Sequence, residues 1–147
     1  MDIAKALTVI DLLCAQDFPA AHGRTERGTS GPGYHTAELR TSDDFWEGDG
    51  TAREETEAQY DADRDGLGER LAERWGPPER FSLYSVLDRT LRGEDVEEPW
   101  AGLSGHVPDL HLWQEPESGR WIALGVSQWD KELPFQLLAV VTEIPPP

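Results

Sequence analysis

The chain has one cysteine, two lysines and no long apolar run, and each scarcity excludes something. A lone thiol, Cys14, rules out an internal disulfide framework and any multi-cysteine zinc site. Set in an apolar stretch, it reads as a small core residue of a protein kept in a reducing compartment. The apolar stretch at residues 6–15 is interrupted by Asp11, and Lys5 only offsets Asp2, so a signal peptide is not expected. Leu12 and Leu13 stand where a lipid-modified cysteine would need a small residue. No segment approaches the ~18 apolar residues of a membrane-spanning helix, and the expectation is a cytoplasmic protein with no membrane contact. Cations are scarce as well. Thirteen Lys and Arg stand against 29 Asp and Glu, a net charge of −16. That field repels nucleic acid and attracts basic proteins or cationic ligands, at a rate that falls with added salt.

What is present argues for a folded domain. The 147 residues are 37% apolar and include six tryptophans, whose large buried area offsets ordering entropy. One domain over 1–147 is expected, and the use of arginine over lysine fits a GC-rich bacterial coding sequence. Ile3, Leu7, Ile10 and Cys14 recur at helical spacing, so residues 2–16 predict an amphipathic helix. Residues 17–50 carry Gly23, Gly28, Gly31, Gly33, Gly48 and Gly50 with few aliphatics, the composition of a long flexible loop, with 36–41 as a weak strand. Residues 52–75 look helical at both ends, weakened by Gly66 and Gly68 and stopped by Gly76-Pro77-Pro78. Phe81, Leu83, Ser85 and Leu87 alternate as a strand would, which is the preferred reading, although Tyr84, Leu87 and Leu91 would also suit a helix, and 91–105 reads as an acidic connection holding Trp100 and Leu103.

The last forty residues are the clearest. Residues 110–114 and 120–126 flank the turn-rich Glu115-Pro116-Glu117-Ser118-Gly119, the pattern of an antiparallel hairpin. Residues 135–142, nearly all apolar, predict a central strand, followed by an extended Pro145–Pro147 tail. The expected fold class is α+β, a C-terminal meander of three to four antiparallel strands packed against two helices from the N-terminal half.

Asp61-Ala62-Asp63-Arg64-Asp65-Gly66 resembles the opening of an EF-hand loop, with carboxylates at alternate positions and a sixth-position glycine. A calcium site at Asp61, Asp63 and Asp65 is therefore a candidate, although the twelfth position is Ala72 where a bidentate Glu is required. Gln128, Trp129, Asp130, Lys131 and Glu132 join two apolar strands and are the candidate partner-binding loop, with Trp129 as anchor. The alternative folds Trp129 back onto the core. His106 and His111 have no metal-ligand spacing, and a His-Asp pair beside Ser104 or Ser127 lacks nucleophile-elbow glycines. His22 and His35 read as solvated loop residues. Gly28-Thr29-Ser30-Gly31-Pro32-Gly33 lacks the Lys-Ser/Thr ending of a phosphate loop, and Glu94, Asp95, Glu97 and Glu98 read as a solvated face.

No complete catalytic motif emerges, and no cofactor beyond calcium is implied. The leading expectation is a small acidic module that docks on a basic protein partner. In charge and size it is similar to toxin-neutralising immunity proteins and nucleic-acid mimics, a likeness of composition alone. A second expectation is an enzyme or small-ligand binder with an aromatic pocket lined by Trp100, Trp113, Trp121 or Trp129 and gated by residues 17–50. A third is calcium response through 61–66. Trp113 and Trp121 flank the hairpin turn, where a cross-strand pair would make them structural.

Overall fold

The computed structural model describes every residue except 47 and 49. Its element order is α1 (Ile3–Ala15), β1 (Gly23–Arg24), β2 (Gly28–Gly31), β3 (Tyr34–Thr41), α2 (Thr51–Trp75), β4 (Glu79–Ser82), α3 (Tyr84–Leu91), α4 (Trp100–Ser104), β5 (Asp109–Gln114), β6 (Trp121–Gln128) and β7 (Phe135–Thr142). The seven strands form one antiparallel sheet in the order β1-β2-β3-β7-β6-β5-β4. The expected sheet of three to four strands with two helices is thus corrected, among the described residues, to seven strands with four helices. Among the described residues no helix is long and apolar enough to cross a membrane.

Three of the additional strands come from the segment whose glycines suggested a loop. Gly31 and Tyr34 pair across Pro32-Gly33, a proline followed by a glycine at φ 82°, which is tight-turn chemistry. β2 consists of small residues because its neighbours lie directly on it. A Cβ at Gly28 would sit 2.4 Å from the Thr36 carbonyl oxygen, and one at Gly31 would sit 2.5 Å from the Tyr34 hydroxyl. Glycine here marks close approach of chain and ring, not flexibility.

β7 lies between β3 and β6 and runs over the apolar Phe135–Thr142. Alternation along β3, β5, β6 and β7 defines two faces. On the first, Ala37, Trp113, Ile122, Leu124, Ala139 and Val141 meet Ala6, Ile10 and Leu13 of α1 and Leu67 and Leu71 of α2. Asp2 caps α1 by accepting from the Lys5 backbone N–H at 3.0 Å. Its far end is closed by Arg120, whose guanidinium donates to the Leu13 and Gln16 carbonyls. α2 is continuous through Gly66 and Gly68, because burial of Tyr60, Leu67, Gly68 and Leu71 outweighs two unfavourable helix residues.

On the second face α3 and α4 cover only part of the sheet, burying Leu83, Val86, Trp100 and Leu103 against Leu110, Leu112, Ala123 and Val140. The expected strand at 81–87 is corrected here. Phe81 pairs in β4, but the chain then turns helical, since the three-residue step from Leu83 to Val86 suits packing better than alternation does. The acidic connection contains α4, five residues long. Trp113 and Trp121 do not meet. Trp113 pairs with Ile122, and Gln114 with Trp121, which sends the two indoles to opposite faces.

Candidate functional site

The strands β2, β3 and β7 leave part of the second face unroofed, and a cleft of about 300 Å³ lies over it. Thr29, Tyr34, Thr36, Glu38, Gln136 and Leu138 form its floor. Glu98, Pro99, Gly102 and Leu103, on and before α4, form one wall, and His22 and Arg24 the other. His106 and Trp129 also line it. The side chains reach the cleft because strand alternation places Tyr34, Thr36 and Glu38 on this face. A register shift between Glu38 and Arg40 then turns Arg40 back toward α2, where it pairs with Asp63 and lies 4.6 Å over the Tyr60 ring.

The aromatic part of the cleft is built from the β6 end. His106 Nδ1 and the Ser127 hydroxyl are 2.6 Å apart, and the backbone N–H of Gln128 donates to the His106 carbonyl at 3.0 Å. The Trp129 ring lies flat on the His106 ring, centroids 3.8 Å apart and planes 15° from parallel. Burial lowers the His106 pKa to about 4, so the imidazole in this stack is neutral at pH 7. Trp129 is nevertheless 62% exposed. It neither folds into the core nor floats freely.

The rest of the expected binding loop divides by role. Asp130 and Lys131 are exposed with Trp129, while Gln128 and Glu132 are half-buried. The Gln128 amide oxygen accepts from Arg53 at 2.8 Å and its NH₂ donates to the Leu133 carbonyl at 3.0 Å, so Gln128 holds the loop in shape. The Glu132 carbonyl accepts from the Phe45 backbone N–H at 2.8 Å, which ties this loop to residues 42–46.

Among the described residues two carboxylates, those of Glu38 and Glu98, face the cleft. Glu38, with its side chain 21% exposed, accepts from the Arg24 guanidinium at 2.5 Å and from the Gln136 amide at 2.8 Å. Glu98 accepts from the Gly102 backbone N–H at 3.0 Å. A Cβ on residue 102 would stand 2.8 Å from that same oxygen, so Gly102 leaves the room in which the carboxylate sits. Tyr34 bonds to His22 through its hydroxyl, and burial, then the Glu98 charge, raises its pKa.

Other expected sites are placed differently. Asp61, Asp63 and Asp65 lie inside the continuous helix α2, so the loop that would wrap a calcium ion does not form. Asp63 is paired with Arg40, while Arg64 lies 3.7 Å from Asp61 and 3.3 Å from Asp65. Among the described residues no group of three or more His, Cys, Asp or Glu side chains is arranged to hold a metal ion. Ser127 and His106 do come together, but Ser127 is 0% exposed and no carboxylate bonds His106 among the described residues. The pair therefore positions the imidazole and offers no nucleophile to a substrate. His35, expected in solvent, is fully buried between the Ser30 hydroxyl and the Gln16 carbonyl. Of the four tryptophans expected to line a pocket, Trp100 and Trp113 are core residues and Trp121 packs, partly buried, against the second cluster; Trp129 lines the cleft.

Sequence reasoning passed over Tyr34, Glu38, Glu98, Arg24 and Gln136 as cleft residues. They come from four separate segments, and only the Pro32-Gly33 turn and the four-residue step from Glu98 to Gly102 are local signals of the arrangement. Set against known protein families, curated proteins and solved structures, the chain finds a match in none of the three.

Proposed function

We propose that the protein is an acidic binding module that docks on a basic protein partner through the Trp129 loop and the adjoining rim of the cleft. The observation that carries this reading is the Trp129 indole, 62% exposed yet fixed flat on a neutral His106 that Ser127 holds in place. An immobilised exposed aromatic loses little rotamer freedom on binding, which is the economy of an interface hot spot. A net charge of −16 supplies attraction toward a cationic surface, and Asp130 adds a carboxylate beside the anchor. Neutralisation of a basic toxin is the special case that suits this charge, with carboxylates covering the surface that would hold phosphates. A cytoplasmic location belongs to the same reading, since the one thiol is half-buried and has no partner thiol.

The test is capture from the native lysate at low and high salt with the wild type and Trp129→Ala side by side. The expected outcome is a basic protein recovered stoichiometrically by the wild type at low salt, depleted at high salt and lost with Trp129→Ala. Equal recovery by both proteins would remove Trp129 from the interface. No enrichment at either salt would overturn the docking reading.

A further inference from the structure

The cleft has the parts of a site for a flat cation. Carboxylates stand on its floor and wall, and a π surface stands beside them. Glu38 projects from β3 on the floor and Glu98 from the segment before α4 on the wall. The π surface is the Trp129–His106 stack, whose indole is open to solvent. A guanidinium matches this combination better than an ammonium does. It is planar, stacks on an indole face, and offers paired N–H donors to a carboxylate.

The molecule already places one guanidinium at this cleft. Arg24 reaches Glu38 from β1, an edge strand of two residues, and its side chain is 65% exposed. It meets both Glu38 oxygens, Nη1 to Oε2 at 2.5 Å and Nη2 to Oε1 at 3.1 Å, the paired contact a guanidinium makes with a carboxylate, and because the arginine itself is largely in solvent a second guanidinium can compete for the same two oxygens. Glu38 keeps its second donor, Gln136, from the neighbouring strand β7, so its carboxylate stays aimed into the cleft when Arg24 leaves. Glu98 is fixed on one side by Gly102 and accepts from no cationic side chain among the described residues. Gly31 and Gly102 are both positions where a Cβ would strike the group that shapes the cleft, Tyr34 in one case and Glu98 in the other.

We propose that this cleft is a receptor for a guanidinium group, the side chain of an arginine on the basic partner, with Arg24 as the resident occupant that it displaces. The source of that arginine rests on the docking reading; the chemistry of the cleft does not. Binding brings the cation onto Trp129 and against Glu98, and Arg24 swings into solvent.

The probe is N-acetyl-arginine methylamide, titrated at low salt into the full chain while the Trp129 indole N–H resonance is followed. N-acetyl-citrulline methylamide, its uncharged near-isostere, is the control. The expected result is a saturable shift with the arginine probe and none with citrulline, binding severalfold tighter in Arg24→Ala, and about tenfold weaker in Glu98→Gln. Tightening on loss of Arg24 is the discriminating readout, since a purely structural Arg24 would not produce it. No shift in either wild type or Arg24→Ala overturns the proposal, as does equal binding of citrulline or an unchanged affinity in Glu98→Gln. A probe response without a captured protein would overturn the docking reading and leave the cleft as a guanidinium site. A captured partner without a probe response would overturn the cleft alone.

Discussion

The two faces of the sheet are built to different ends, although β6 and β7 supply both from alternate residues of the same strands. The first is closed along α1 and α2 by Ile10, Leu67, Leu71, Leu124 and Val141, all without measurable exposure. The second is closed only where α3 and α4 lie, and there the fit is close: a Cβ on Gly125 would stand 2.7 Å from Val107 and 2.8 Å from Leu110. Beyond that roof the face turns polar, with Thr36, Glu38 and Gln136 standing where the first face has aliphatic residues. The difference separates the face that holds the fold from the one we propose for binding. Continuous apolar burial holds the fold, and the unroofed remainder is free to present charge and one fixed tryptophan.

The largest effect should come from opening the closed face. Leu71→Ala removes a fully buried side chain and should cost about 2–5 kcal/mol of stability in urea unfolding, while partner affinity per folded molecule stays unchanged. Trp129→Ala should reverse the pattern, costing less than about 1 kcal/mol of stability and weakening partner binding by about 2 kcal/mol or more. Similar profiles for the two variants would erase the distinction between the faces.

Acid should act next, and through the cleft. The His106 pKa is lowered from 6.5 to about 4 by burial, so the unfolded chain takes up this proton first as the pH falls. Its contribution to stability is therefore complete above pH 6.5 and is lost as the pH falls toward 4. Discounted for the ring's partial contact with solvent, the loss should be about 1–2 kcal/mol. His111, whose pKa is lowered chiefly by burial and also by Arg64, adds in the same direction. Urea midpoints measured from pH 7.5 to 4 should fall less steeply in His106→Gln than in the wild type, and parallel curves would show that the imidazole is not the group responsible.

The smallest effect belongs to the closed face again. A Cβ at Gly66 would meet only Ile3 at 3.8 Å, an ordinary contact. Gly66→Ala should therefore stabilise the interior of α2 by about 0.5–1 kcal/mol, raising the melting temperature without changing binding. A lower melting temperature would mean that the contact between α1 and α2 has no room for a methyl group.

Much of the first face was legible because its signals are local. Helical spacing at Ile3, Ile10 and Cys14, the stop at Gly76 and the apolar run at 135–142 need no knowledge of neighbours. Of the strands within residues 17–50 only β3 was legible, as the weak alternation of 36–41; β1 and β2 were not, because Gly28 and Gly31 have the composition of a loop and become strand residues only when Thr36 and Tyr34 lie against them. The segment after Phe81 misled for another reason: Leu83 and Leu87 satisfy a period of two and a helical period alike, and packing against α4 chose the helix.

By itself the sequence determined the charge, the single thiol, the first helix and the C-terminal hairpin, since composition and short-range periodicity are properties of the chain alone, whereas it left Trp129 open between an exposed anchor and a core residue. Tertiary structure alone decided that Asp61, Asp63 and Asp65 would lie in a helix, that Trp113 and Trp121 would face apart, and that Glu38, Glu98, Arg24 and Trp129 would share one cleft. Those outcomes depend on strand register and on which part of a face receives a helix. Both are set by contacts between residues far apart in sequence, and no local pattern encodes them.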